Sequence, residues 1–382
     1  MPLTMTLIRN ATIVTADTVF TGTLQSEGGT ITALAHGSTS ASDAADWDGD
    51  YLLPGLVEVH TDNLEKHLMP RPKVEWPILP AILAHAAQVA AAGITTVLDA
   101  IAVGDIDPES LRVRRFGACV EGLRQAHGAG LLRAEHFLHL RLELAEQHLL
   151  ELFTPLLNDP LLKMVSLMDH TPGQRQWSDM AHYRTYMIGK RGWSLERVDA
   201  MFEQMLRRQQ RYAGANRRAV VALCQARPLP LPMATHDDTT LEHVAEGVAE
   251  GISISEFPTT LAAAGAARSG GQRVIMGAPN MVRGGSHSGN VGAAELARAD
   301  LLDVLSSDYV PASLLHAAFL LRDAGFALPK AMATVSRTPA QMVGLVDRGE
   351  IAIGLRADYL RVRMFAGLPV VMGTWKAGQR IA

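Results

Sequence analysis

The chain has 382 residues, 48% of them hydrophobic and 19% charged, with a formal net charge of −4 at pH 7. That balance excludes a disordered chain and carries no electrostatic footprint for nucleic-acid binding. No segment approaches the ~20 uncharged apolar residues of a membrane span. The first twenty residues lack a basic start followed by an apolar run, so they do not read as a secretory signal. Two cysteines, Cys119 and Cys224, lie in separate segments. They supply neither a disulfide framework nor a cysteine zinc site, and the expected compartment is the reducing cytoplasm.

Residues 1–52 alternate apolar and polar positions in short pieces, as in "LIRNATIVTADTVFTGTLQSEGGTITAL", with Asn10, Gly22, Gly28 and Gly29 as turn signals. Residues 346–382 have the same character, with "YLRVRMF" and "VVMGTWK" on either side of a Gly-Leu-Pro turn. The two ends are expected to pair into one small β-sandwich domain. Between them, in residues 53–345, eight apolar runs alternate with helical stretches: "GLVEVH", "TTVLDA", "HFLHLRLE", "MVSLMDH", "PMATHDD", "ISISEFP", "RVIMGAP" and "VLSSDY". A doubly wound open sheet would use the same alternation. The count of eight, and the polar residues that end so many runs, favour the α/β class with a (β/α)8 TIM-like barrel.

Active sites of such barrels lie at the C-terminal ends of the strands, so residues distant in sequence converge there. The first strand ends in His60 and Asp62, two residues apart and on one side of an extended backbone. The third contributes Glu143, the fourth His170, the fifth His236 with Asp237 and Asp238, the sixth Glu256 and the eighth Asp308. Imidazoles and carboxylates suit a borderline divalent ion, zinc first and manganese or iron as alternatives, as one or two ions. Such an ion makes hydroxide available near neutral pH, which is hydrolase chemistry. Glu143 and Glu256 have a second reading, as carboxylates that orient a histidine. His85, His127, His148, His182, His243 and His316, on helices or their flanks, read as ordinary hydrogen-bonding groups.

A second group is basic. Lys66, His67, Arg71 and Lys73 follow the first strand in a proline-stiffened loop, and Asn63 precedes them. Arg175 follows the fourth strand, Lys190 and Arg191 lie in "YMIGKRGW", and Arg283, Ser286 and His287 lie in "NMVRGGSHSGN". Arginine forks and glycine-freed backbone N–H groups suit phosphates.

"PGLVEVHTDN" resembles the amidohydrolase superfamily of metal-dependent barrel hydrolases, in a variant with Asp62 at the usual second histidine of strand one. More narrowly, "HTDNLEKHLMPRP", "HLRLE", "SLMDHTPGQRQ", "HDDTT", "EFPTT", "GAPNMVRGGSHSGN" and "SDYVPASLL" resemble the ribosyl-triphosphate diphosphatases of the carbon–phosphorus lyase pathway, across nearly the whole barrel. The resemblance implies hydrolysis of a ribosyl 5-triphosphate to the 5-phosphate and pyrophosphate during phosphonate use. It implies metal ligands at His60, Asp62, Glu143, His170, His236 and Asp308, with Glu143 bridging two ions. Catalytic roles fall to His60, His236 and Asp308, the last accepting the water's proton during attack on the α-phosphorus. Asn63, Lys66, His67, Arg71, Arg175, Lys190, Arg283 and His287 are expected to bind the substrate. The expected partner is this small molecule, with no nucleic acid and no membrane; self-association stays open. Two other functions stay open too: hydrolysis of a C–N bond, which the same constellation serves on this fold, and a non-catalytic scaffold.

Overall fold

The computed structural model describes residues 5–105, 107, 110–173, 175, 180–286 and 289–382, and of residues 182, 186, 190 and 191 only the backbone. Five strands precede the barrel: β1 (Met5–Val14), β2 (Val19–Glu27), β3 (Thr30–His36), β4 (Ala45–Asp46) and β5 (Tyr51–Pro54). The barrel strands are β6 (Leu56–Thr61), β7 (Ile94–Val103), β8 (Glu135–Glu143), β9 (Leu162–Met168), β10 (Met233–His236), β11 (Ile254–Glu256), β12 (Arg273–Gly277) and β13 (Val304–Ser306). The chain ends in β14 (Tyr359–Phe365), β15 (Leu368–Lys376) and β16 (Gln379–Arg380). Each of the eight apolar runs overlaps one barrel strand, as expected.

The terminal strands form one sheet in the order β16-β15-β14-β5-β1-β2-β3, with β4 paired to β1. It is mostly antiparallel, and β5 joins the two ends of the chain by pairing with both β1 and β14. Alternation along β1 and β2 buries Ile8, Ile13 and Leu24 in an apolar core shared with Ile31, Trp47, Leu52 and Tyr359. Trp375 stacks on Tyr359 at 5.3 Å against the same core.

Strands β6 to β13 form a parallel sheet in sequence order. Its edges meet at a bridge between Thr61 and Asp308. There Asp62 N donates to Asp308 O (2.8 Å) and Asp308 N to His60 O (3.1 Å). Below that bridge the buried Glu58 carboxylate accepts from the backbone N–H groups of His60 and Ser307, both at 2.6 Å. Two large apolar clusters lie between strands and outer helices. Ser110, Thr240 and Thr260 start three of those helices by accepting a backbone N–H three residues on, the usual N-cap bond. No helix among the described residues is long and apolar enough to cross a membrane.

Candidate active site

At the C-terminal end of the barrel the strand ends change backbone region. Asp237, Phe257 and Asp308, just beyond β10, β11 and β13, have φ of 56°, 54° and 53°. Each donates its N–H to a carbonyl on a neighbouring strand: Asp237 to Glu256, Phe257 to Ile275 and Asp308 to His60. Left-handed backbone is uncommon outside glycine, though aspartate adopts it more readily than most residues, and here it turns three strand ends at the cavity.

Between these ends lies a cavity of about 480 Å³ lined by His60, Asp62, His170, His236, Asp237 and Asp308. Glu256 accepts from two imidazoles: its Oε1 lies 2.7 Å from His60 Nδ1 and its Oε2 2.8 Å from His236 Nδ1. Ser166 Oγ donates to the same carboxylate at 2.7 Å. Glu143 Oε2 holds His170 Nδ1 at 2.7 Å. A carboxylate at Nδ1 puts the proton there, so the Nε2 lone pair of all three rings is left for a ligand in the cavity. Burial disfavours the His60 and His170 imidazolium forms, but Glu256 and Glu143 outweigh it and raise both above the ordinary histidine value.

The donor atoms gather in two groups, His170 with His236 and Asp237, and His60 with Asp62 and Asp308. Imidazole nitrogens with carboxylates, each ring held by a second carboxylate, fit a divalent metal ion. A third group, His60, His139 and Glu256, is fully buried and shares only His60 with the other two. A fourth, His85, Asp99 and His136, lies outside the cavity lining.

Among the described residues, four lysine and arginine side chains line the cavity: Lys66, Arg112, Arg141 and Arg283. Arg141, buried on β8, places Nη1 2.7 Å from Asp62 Oδ1, and Arg112 Nη2 lies 3.8 Å from Asp62 Oδ2. Burial raises the Asp62 carboxyl, yet Arg141, His60 and Arg112 hold it well below the usual range. Asp308 behaves oppositely: burial, and then the Asp62 charge, push it up to about 6. Lys66 donates to Tyr309 O at the cavity edge.

Of the expected ligands, Glu143 stands behind His170 rather than in the cavity lining. Several expected binding residues also face elsewhere. Asn63 is buried, with Nδ2 against His85 Nδ1 (3.0 Å) and Gln88 Oε1 (2.8 Å). His67 reaches the same Gln88, and Arg71 is exposed in its loop. Arg175 is buried and spends Nη1 on His236 O (2.9 Å) and Asp238 Oδ1 (2.6 Å), which braces β10. Lys66 and Arg283 do line the cavity. His287 lies outside the described residues, and of Lys190 only the backbone is described. The sequence reading missed Arg141 and Arg112. The signal for Arg141 was an arginine inside the strand run "HFLHLRLE", two residues before Glu143 and so on its side of the strand.

No protein-family model matches the chain. It is 44% identical over 378 residues to the alpha-D-ribose 1-methylphosphonate 5-triphosphate diphosphatase of Escherichia coli (strain K12), covering 98% of this chain and all of that relative. The chain belongs to the ribose 1-methylphosphonate 5-triphosphate diphosphatase family. Solved structures with low sequence identity share its fold. N-acetyl-D-glucosamine-6-phosphate deacetylase from Mycobacterium smegmatis matches with TM-score 0.65 and 16% identity, over 99% of this chain and 100% of that one. Dihydropyrimidinase from Brevibacillus agri matches with TM-score 0.61 and 13% identity, over 99% and 95%. This chain thus shares the overall fold of these solved structures, barrel and terminal sheet together.

Proposed function

We propose that the chain hydrolyses α-D-ribose 1-methylphosphonate 5-triphosphate to the 5-phosphate and pyrophosphate, using a divalent metal ion. The observation that carries this reading is one cavity holding both the imidazole–carboxylate donors and four cations, in a chain 44% identical to a diphosphatase. A triphosphate brings several negative charges, so its hydrolysis needs a nucleophile, neutralisation at the attacked phosphorus and stabilisation of the leaving group. A metal ion, of which zinc best suits the imidazole-rich set, supplies Lewis acidity and an acidified water.

The protein's own groups do the rest. Glu143 and Glu256 fix the rings of His170, His236 and His60. Asp308, at the closing bridge of the barrel, accepts a proton from the attacking water. The new bond forms between water oxygen and the α-phosphorus, and the bond to the α–β bridging oxygen breaks with its electron pair leaving on pyrophosphate. Lys66, Arg112, Arg141 and Arg283 meet the phosphate oxygens; arginine contacts to phosphate are charge-assisted and directional. A neutral amide, as in the C–N alternative, brings no negative charge to match this concentration of cations around the cavity.

The burial of both thiols fits a structural role in a reducing compartment. It pushes Cys119 up to about 11 and Cys224 up to about 12, so neither is a reactive thiolate. The test is pyrophosphate release from the ribosyl 5-triphosphate by the purified chain before and after chelation. Release that stops on chelation and returns with added metal is expected. Turnover of acylated amino acids without pyrophosphate release would overturn the reading.

A further inference from the structure

The two donor groups in the cavity have unlike surroundings. Among the described residues, no arginine or lysine forms an ion pair with His170, His236 or Asp237. In the other group, Asp62 already has a permanent counter-ion. Arg141 Nη1 sits 2.7 Å from Oδ1, with Arg112 Nη2 3.8 Å from Oδ2. Arg141 is 5% exposed, and its Nε is turned to Met168 Sδ at 3.3 Å, so its position is set by packing inside the barrel. A guanidinium does not lose its proton in a protein. A divalent ion on Asp62 would therefore face a fixed positive charge across one carboxylate.

We propose that the Arg141 guanidinium occupies the place of a second metal ion, so that the chain holds one tight divalent ion, at His170, His236 and Asp237, and meets the substrate's phosphates with Arg141 on the opposite side. The cavity then holds one exchangeable metal ion and, where a second would sit, the guanidinium of Arg141. Asp62 serves to hold Arg141 in register with His60 and Asp308 and is no metal ligand. This rests on the metal-dependent reading above.

The experiment counts metal and needs no substrate. The full chain is saturated with zinc or manganese, desalted and measured by elemental analysis, and the affinity is read by chelator competition. One retained equivalent per chain is expected. Asp62→Asn should keep that equivalent within about threefold in affinity, whereas His170→Ala should weaken it on the order of 100-fold or more. The double variant Arg141→Met/Arg112→Met, which removes both guanidinium groups from Asp62, and to a lesser degree Arg141→Met alone, which removes the nearer one, should take up a second equivalent, while Arg141→Lys, which keeps the charge, should stay at one. Two tight equivalents in the unaltered chain would overturn the proposal, as would loss of the tight ion in Asp62→Asn or a single equivalent in the folded double variant. Two equivalents with intact, chelator-sensitive pyrophosphate release would overturn this inference and leave the diphosphatase reading standing.

Discussion

Glu256 shows how one residue can set the chemistry of several. It is fully buried and accepts hydrogen bonds from His60 Nδ1 and His236 Nδ1 while Ser166 Oγ donates a third. Although burial works against its charge, the surrounding histidines hold the carboxyl well below its ordinary value. Glu256→Gln removes the negative charge and sets an amide N–H against a ring N–H. We expect a roughly 10–100-fold loss in metal affinity or activity, the usual cost of losing a carboxylate that orients a metal-binding histidine. Chelator titration of the variant checks it, and an unchanged affinity would deny Glu256 this role. The sequence left Glu143 and Glu256 between ligand and orienter, because a strand-end position says which way a side chain starts and not which atom it meets. For both, the structure shows a hydrogen bond to an imidazole Nδ1.

Among the elements, the short helix Asn63–Leu68 carries Lys66 to the cavity edge and is anchored from behind. Asn63 reaches His85, whose Nε2 lies 2.7 Å from Asp99 Oδ1, and His136 Nδ1 lies 2.8 Å from Asp99 Oδ2. All three acid–imidazole partners are buried. Extended alternation stops being a guide at Asp62, where ψ is 5°, so Asn63 turns toward helix residues 78–91 rather than the cavity. Burial raises the Asp99 carboxyl, but His136 and His85 bring it well below its ordinary 3.8. A depressed carboxyl stabilises the fold above its unfolded value and loses that contribution as pH falls through its folded one. Stability should therefore fall with acid below about pH 4 with a component that Asp99→Asn removes. The same variant should cost about 2–3 kcal/mol at neutral pH by misdirecting one of the two hydrogen bonds. Urea unfolding of both proteins at pH 7 and pH 3.5 reads both effects; parallel pH dependence would remove Asp99 from the account.

For the whole molecule, the question is what ties the terminal sheet to the barrel. Gly55 sits where β5 passes into β6, and a Cβ there would come within 2.6 Å of Thr95 Cγ2. Gly55 N donates to Asp358 O (2.9 Å), next to the start of β14. Alongside, Glu135 at the start of β8 accepts from both Arg348 and Arg356. Arg348 also donates to Thr96 Oγ1 (3.0 Å), and Arg356 Nε to Asp358 Oδ1 (2.9 Å). Glu135→Ala would leave two largely buried guanidinium groups short of a carboxylate. We expect a loss of about 3 kcal/mol, at the low end for a broken buried pair because Glu135 is partly exposed. A lower urea midpoint with unchanged metal content would be the signature, and no shift in midpoint would show that Glu135 adds nothing to the joint between the two parts.

The sequence by itself determined the eight-strand alternation, the paired terminal sheet and the strand-end residues His60, Asp62, His170, His236 and Asp308. Those are local consequences of periodicity, turn chemistry and the rule that parallel barrels present strand ends at one face. The tertiary structure alone decided that Arg141 pairs with Asp62, that Glu256 serves two rings, and that Arg175 and Asn63 brace the scaffold. Each depends on the angle at which separate strands meet around the barrel and on which buried charge finds a partner across that gap. No spacing within one segment encodes such a distance between segments.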